Sequence, residues 1–289
     1  MKKTLLIGTV VILVLASCEN HSFIADDENF LKLDNGLEYN FSDFELYDSS
    51  THIFYFKTDH PEFKTEKASN FSVSAYGEEI YNGVFWPPYS STLPFGPYID
   101  SFLSLYHDYA FRIHFLSIDH EPKDTRNDPR IIAALKDHNL LHSGLSLVIN
   151  SIGMNGIQLT FKFTVTNQDM SELLILDPDK VGTNLFHYFT NGLYLRDFTN
   201  NEVFSANVTP QVPDPWDSWN IEWLSVIKSG ESRQFTINYE MKSLLVPGEY
   251  KALFEFPGLN YNVSKEQLNQ GSSRIWLGDV QTIKMVTIQ

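Results

Sequence analysis

The sequence predicts a mainly β protein, with two antiparallel β-sandwich domains joined by a short helix. Apolar and polar residues alternate in several short segments, most clearly in residues 157–167, and this alternation is typical of half-buried strands. Turn signals such as Ser229-Gly230 and Pro247-Gly248 separate these segments. A single strong helix-start signal, Asp128-Pro129, lies near the middle of the chain. Several short strands with turns between them favour sandwich architecture.

The first 17 residues have the layout of a secretory signal. Two lysines are followed by an apolar stretch from Leu5 to Leu15 and then by small residues. The apolar stretch covers about 17 Å as a helix, which is too short for a hydrocarbon core of about 30 Å. We therefore expect a targeting segment over residues 1–17 and not a membrane span.

The end of this segment, Leu15-Ala16-Ser17-Cys18, resembles the lipobox of bacterial lipoproteins. The resemblance implies that the Cys18 thiol carries a diacylglycerol, that the chain is cut before Cys18, and that the new amine is acylated. The implied partner is a lipid bilayer, because several acyl chains hold a protein on it almost permanently. The implied location is the bacterial cell envelope, at the outer membrane. Display on the cell surface and a position facing the periplasm are the two alternatives.

Composition excludes several function classes. Cys18 is the only cysteine of the sequence, so an acylated Cys18 leaves no thiol for disulfides, metal binding or nucleophilic catalysis. The formal net charge of −15 disfavours nucleic acid as a partner, because an acidic surface repels phosphate backbones. Serine-nucleophile and glycine-rich phosphate-binding motifs are absent from the sequence. We expect no catalytic residues and no cofactor.

Four segments follow the signal. Residues 18–40 are polar and acidic and are predicted to form a flexible tether, and residues 41–120 are predicted to form an N-terminal β domain. Residues 121–142 are interpreted as a helical connector, in which Asp128 is the N-cap and Ile131, Ile132 and Leu135 form an apolar stripe. Residues 143–289 are predicted to form the second β domain.

This last segment resembles the immunoglobulin-like accessory modules of exported bacterial proteins, and more loosely the bacterial intracellular proteinase inhibitor fold. The likeness is carried by four stretches: residues 160–167, 228–235, 247–250 and 275–278. It implies an immunoglobulin-like β-sandwich. It implies no inhibitory loop and no specific activity, since fold alone does not fix function.

Two possible metal sites are weak. His138 and His142 have the spacing of two ligands on one helical face, but Asn139 favours a helix end between them. Asp177-Pro178-Asp179 lacks the further oxygen ligands of a calcium loop and is typical of a turn with capping aspartates. We therefore expect no metal.

Two proline-rich aromatic loops are the candidate binding regions. The first contains Trp86, Tyr89 and Tyr98, and the second contains Trp216 and Trp219. Long loops inside compact domains are often functional, and rigid aromatic rings can stack on a sugar or anchor a protein partner. The alternative is that the rings fold back and cover the ends of the sheets.

The sequence therefore favours a membrane-anchored envelope lipoprotein that acts as a non-catalytic binding module for a glycan or an envelope protein. One alternative is a structural accessory subunit of an envelope complex. Another is a hydrolase, because 36 acidic residues always allow a carboxylate pair in space.

Overall fold

The computed structural model describes residues 29–65, 67–87, 89–100, 108–117, 123–205, 208–241, 244–259 and 263–288. The signal segment, Cys18 and the first part of the predicted tether lie outside these residues. No helix in the described ranges is both long enough and apolar enough to cross a bilayer.

The N-terminal half consists of short strands and two helices. The helices are α1 (Glu62–Thr65) and α2 (Pro129–Asp137). The strands are β1 (Asn29–Leu33), β2 (Glu38–Asn40), β3 (Phe44–Asp48), β4 (Ile53–Phe56), β5 (Asn70–Ala75), β6 (Glu78–Trp86), β7 (Gly96–Asp100), β8 (Ala110–Arg112), β9 (His114–Leu116) and β10 (Leu141–His142). They form a sheet with the order β2-β1-β5-β6-β7-β9 and a second sheet with the order β10-β3-β4-β8.

The C-terminal half has longer strands. Its helices are α3 (Pro178–Phe189) and α4 (Lys265–Leu268). The strands are β11 (Leu145–Asn155), β12 (Gln158–Asn167), β13 (Glu172–Leu176), β14 (Leu193–Arg196), β15 (Glu202–Ser205), β16 (Leu224–Ile227), β17 (Ser232–Glu240), β18 (Gly248–Pro257), β19 (Asn269–Gln270), β20 (Ser273–Ile275) and β21 (Asp279–Ile288). Three sheets result, with the orders β11-β12-β17, β16-β13-β20-β19 and β15-β14-β18-β21. The prediction of a mainly β protein is confirmed.

The sheet that contains β3 and β4 is buried on both faces. Phe54 and Phe56 of β4 belong to a hydrophobic cluster with the six-stranded sheet. Ile53 and Tyr55, which point the other way on the same strand, belong to a cluster with the C-terminal half. Apolar residues at every position of β4 are therefore required, because neither face meets water.

Two C-terminal sheets pack face to face through phenylalanine rings. The ring of Phe254 on β18 lies 4.7 Å from that of Phe161 and 4.6 Å from that of Phe163, both on β12. The predicted alternation is confirmed over β12, since Phe161 and Phe163 are buried while Lys162 is exposed. It is wrong at Ile157, which lies in the turn before β12 and is exposed.

Three sequence predictions need correction. The flexible tether predicted over residues 18–40 is wrong from residue 29 onward, because Phe30, Leu31 and Leu33 are buried and β1 pairs with β5. Purely antiparallel pairing is wrong at β3–β10, β6–β7 and β13–β20, which are parallel.

The helical connector over residues 121–142 is the third correction. The helix is shorter, Pro129–Asp137, although it begins as predicted with the Asp128 side chain accepting from the Arg130 backbone N–H. Ile131 and Leu135 pack into the N-terminal core, and Leu141–His142 pairs with β3. The segment is therefore an integral part of the N-terminal half.

Candidate functional site

The first predicted aromatic loop brings two of its three candidate rings together. Trp86 ends β6, and its indole Nε1–H donates to the Thr92 carbonyl at 2.8 Å. The Trp86 and Tyr98 rings meet edge-to-face with centroids 5.9 Å apart. Tyr98 in turn stacks on His114, at 4.9 Å between centroids and 17° between planes. Tyr89 is 82% exposed.

The second predicted loop has one exposed and one half-buried tryptophan. Trp216 is 59% exposed, and its backbone carbonyl accepts from the Tyr188 hydroxyl at 2.6 Å. Trp219 packs against the C-terminal core. Both line a depression of only about 10 Å³, which is room for about one water molecule. The loop therefore offers an exposed ring but no ligand-sized pocket.

A larger cavity of about 280 Å³ lies on the outer face of the sheet that contains β14, β18 and β21. The alternation of these strands creates it. Leu193 and Leu195 of β14 are buried, so Tyr194 and Arg196 face outward. Tyr194 lies opposite Leu253 of β18, which lies opposite Ile283 of β21. This row gives the cavity an apolar floor with one aromatic ring.

Polar side chains stand on both sides of that floor. Arg196 lies two residues after Tyr194 on β14, on the same face of the strand. Its buried Nε–H has no hydrogen-bond partner among the described residues. Glu255 lies opposite Gln281, whose side-chain amide donates to the glutamate carboxylate at 2.7 Å. A buried donor without an acceptor is costly, so an acceptor on a bound ligand at Arg196 would recover that cost.

Glycine is required at one end of the cavity. Gly192 has φ +76°, and a Cβ at this position would lie 2.2 Å from Cε1 of His187. His187 is buried, and its Nε2 lies 3.1 Å from the Tyr239 hydroxyl. Burial lowers the pKa of His187 to about 4, so the imidazole behind the cavity is neutral at physiological pH. The cavity is therefore bounded at the Gly192 end by closely packed, uncharged groups.

The electrostatics of the cavity centre on Glu255. Burial raises the pKa of this carboxyl, and the neighbouring Asp279 carboxylate raises it further, against opposing effects of Gln281 and Arg112. Arg112 forms a two-pronged ion pair with Asp279, with one guanidinium nitrogen on each carboxylate oxygen. A perturbed carboxyl in a polar cavity is a common feature of ligand sites.

No motif in the sequence points to this site. Its lining comes from three strands that are far apart in the chain, each contributing two or three residues, and from Asn191 and Gly192 just before β14. One signal is visible in the sequence: Glu255 is a charged residue between two phenylalanines of an alternating segment. In the described residues, no group of three His, Cys, Asp or Glu side chains is placed to hold a metal ion.

No family model and no curated protein matches the sequence. Two crystal structures of β-glucosidase from Listeria innocua are similar over 50% of this chain, one in complex with glucose and one of a mutant in complex with laminaribiose. The identities are 12% and 13%, the TM-score is 0.22 in both cases, and the chain spans 16% of those chains. A likeness this weak carries no argument about fold or function.

Proposed function

We propose that this protein is a lipid-anchored component of the bacterial cell envelope that binds a glycan without catalysis, in the cavity on the outer face of β14, β18 and β21. The anchor rests on the lipobox-like sequence that ends in Cys18. Replacing Cys18 by alanine is expected to move the protein from the membrane fraction to the soluble envelope fraction. Retention of the variant in the membrane would contradict the anchor.

The cavity is the single observation that supports the binding site. Its volume of about 280 Å³ is close to the lower end of small-molecule pockets. Its floor presents the Tyr194 ring and aliphatic side chains to the C–H face of a sugar, while Arg196, Glu255 and Gln281 can bond to hydroxyl groups. Sugars need this combination, because their hydroxyls both donate and accept.

The immunoglobulin-like, two-domain arrangement is a further part of the proposal. The face-to-face packing of the β12 and β18 sheets through Phe161, Phe163 and Phe254 supports a sandwich in the C-terminal half. In that arrangement the cavity lies on the outside of the sandwich, where a ligand can reach it without crossing the core.

A hydrolase is the second candidate, because Glu255 and Asp279 are neighbouring carboxyls and the pKa of Glu255 is raised. A raised carboxyl suits a general acid, and glycoside hydrolysis needs a second, free carboxylate. Both oxygens of Asp279 already accept from Arg112. This pairing makes Asp279 a poor nucleophile or base, and it favours binding over hydrolysis.

Isothermal titration of the purified full chain with neutral monosaccharides tests the proposal. Glu255→Gln and Arg196→Met are expected to weaken binding by about tenfold or more, since each removes a charged hydrogen-bonding group. Glu249→Gln is the matched control, because Glu249 is exposed on the same strand but does not line the cavity. Wild-type protein that binds no sugar, or cavity variants that bind as tightly as wild type, would contradict glycan binding. Incubation of the same preparation with a neutral disaccharide tests the hydrolase separately, since release of free monosaccharide would favour hydrolysis.

A further inference from the structure

We infer that the glycan is a linear, uncharged oligosaccharide, and that it extends from the cavity across the Arg112–Asp279 ion pair to the Trp86–Tyr98–His114 stack on the N-terminal half. This inference rests on the proposed function and adds the length and the charge class of the ligand. It also gives a role to Trp86 and Tyr98, which the cavity alone leaves unexplained.

A continuous line of side chains joins the two places. Gln281 lines the cavity, and Asp279, two residues earlier on β21, lies on the same face of that strand. Asp279 pairs with Arg112 at the end of β8. His114 is two residues beyond Arg112 and begins β9, where it lies opposite Tyr98 of β7. The path therefore crosses from the C-terminal half to the N-terminal half at Arg112.

Electrostatic effects support the closeness of these groups. Burial raises the pKa of Tyr98 and Glu255 and lowers that of His114, and the Arg112 guanidinium acts on all three, opposing the rise at Tyr98 and Glu255 and adding to the fall at His114. A single cation can act on all three only if it lies near each of them, since such effects fade with distance. Arg112 therefore sits between the cavity and the aromatic stack.

The stack suits an uncharged sugar ring. Burial, with help from Arg112, lowers the pKa of His114 to about 3, so the imidazole is neutral at physiological pH. Tyr98 and His114 then form a flat, uncharged pair whose exposed parts can pack against the C–H face of a sugar. Trp86 adds a second aromatic edge beside Tyr98.

The charge of the protein limits the ligand to neutral glycans. The formal net charge is −15, and Glu255, Asp279 and Asp100 all lie along or beside the line. The net charge of the protein would repel a polyanionic glycan, and the Arg112 cation is already paired with Asp279. Neutral sugars avoid this repulsion and can still use the carboxylates as hydrogen-bond acceptors.

Titration with neutral linear glucans, mannans and xylans of increasing length, from one to six units, tests the inference in the full chain. The affinity of the wild type is expected to rise with length. Trp86→Ala and Tyr98→Ala are expected to weaken hexamer binding about tenfold and to leave monomer binding unchanged, because one lost ring contact is worth about that factor. Phe198→Ala removes an aromatic ring that is 94% exposed elsewhere, and it should change neither.

The ratio of hexamer to monomer affinity is the deciding quantity, because a partly unfolded variant loses both affinities in proportion. A ratio that falls in the Trp86 and Tyr98 variants supports the extended site. A ratio near one in the wild type, or one that both variants leave unchanged, overturns it while the cavity remains a monosaccharide site. Absence of binding to every length contradicts the proposed function itself.

Discussion

Arg274 and Arg196 stand on two sheets that differ in what covers them. Arg274 belongs to β20, and its side chain packs against the sheet of β3 and β4, which is buried on both faces. The Arg274 side chain is 6% exposed. Its guanidinium contacts Asp48 at 3.1 Å, Asp169 at 3.4 Å and the Tyr55 hydroxyl at 3.3 Å. Arg196 stands on the open face of another sheet, and its Nε–H has no partner among the described residues.

The difference separates a structural charge from a binding charge. A fully enclosed guanidinium is tolerated only when carboxylates surround it, and its loss leaves those carboxylates buried and unpaired. The Arg196 guanidinium borders a cavity, so an acceptor on a bound ligand can pair with its unsatisfied Nε–H, and its removal leaves no carboxylate buried without a partner. Substitution of Arg274 should therefore lower the stability of the fold. Substitution of Arg196 should lower ligand affinity and leave stability unchanged.

The largest effect is expected for Arg274→Met. Removing the cation breaks the ion pairs of the buried Asp48 and Asp169 carboxylates, which keep only contacts such as those with Ser50 and His142, at a cost of about 3–5 kcal/mol in the free energy of unfolding. Urea denaturation measures this directly. The control is Arg130→Met, because Arg130 is 50% exposed and its ion pairs with Asp128 and Glu78 should contribute less than about 1 kcal/mol. Equal losses in the two variants would contradict the comparison.

Gly144→Ala is expected to cost about 2–4 kcal/mol beside the same ion network. Gly144 has φ +63°, and a Cβ would lie 2.1 Å from Ser50 Oγ and 2.2 Å from Asp48 Oδ1. Gly230→Ala is the control for backbone strain alone, since Gly230 has φ +73° and nothing within 4 Å of the added carbon. Thermal unfolding should show the larger loss of stability for the Gly144 variant. Similar losses in the two variants would mean that the Ser50 and Asp48 side chains move aside at little cost.

The pH dependence of stability should report on Asp169. Burial alone would raise the pKa of Asp169, but hydrogen bonds from His142 and the Ser171 N–H, with attraction to Arg274, lower it to about 2. The folded pKa lies below the unfolded value, so this carboxylate stabilises the fold above about pH 4, and the effect is lost as pH falls through 2. The contribution is roughly 2 kcal/mol.

Urea denaturation of wild type and Asp169→Asn at several pH values measures that contribution. The wild type should exceed the variant in stability at pH 6, and the gap should narrow toward pH 2. A difference in unfolding free energy that stays constant over this pH range would show that folding does not change the pKa of Asp169.

Elements specified by local signals could be predicted from the sequence. Asp128 and Pro129 define the start of α2, and the alternation in residues 157–167 defines β12. The pattern Asp177-Pro178-Asp179 predicts capping aspartates, and Asp177 does accept from the Asp179 N–H. The helix that it caps, α3, was missed, because Gly182 at φ +73° interrupts the helical pattern.

Features that depend on distant pairing could not be predicted. β1 looks like part of an acidic tether until β5 pairs with it, and the parallel neighbour of β13 lies about one hundred residues further along the chain. The cavity has the same origin, since Arg196, Glu255 and Gln281 meet only when β14, β18 and β21 align. The aromatic residues of the two predicted loops are evident in the sequence, but the depression beside Trp216 has a volume of only about 10 Å³.

The smallest effect on stability, and the most direct test of the account, is expected for Arg196→Met. Its unfolding free energy should match the wild type within about 0.5 kcal/mol, because no ion pair or buried partner is lost. In the same preparation, titration with the tightest-binding neutral sugar should show affinity weakened about tenfold or more. Intact binding with unchanged stability would contradict the cavity as the ligand site, and a large loss of stability would place Arg196 with Arg274 among the structural charges.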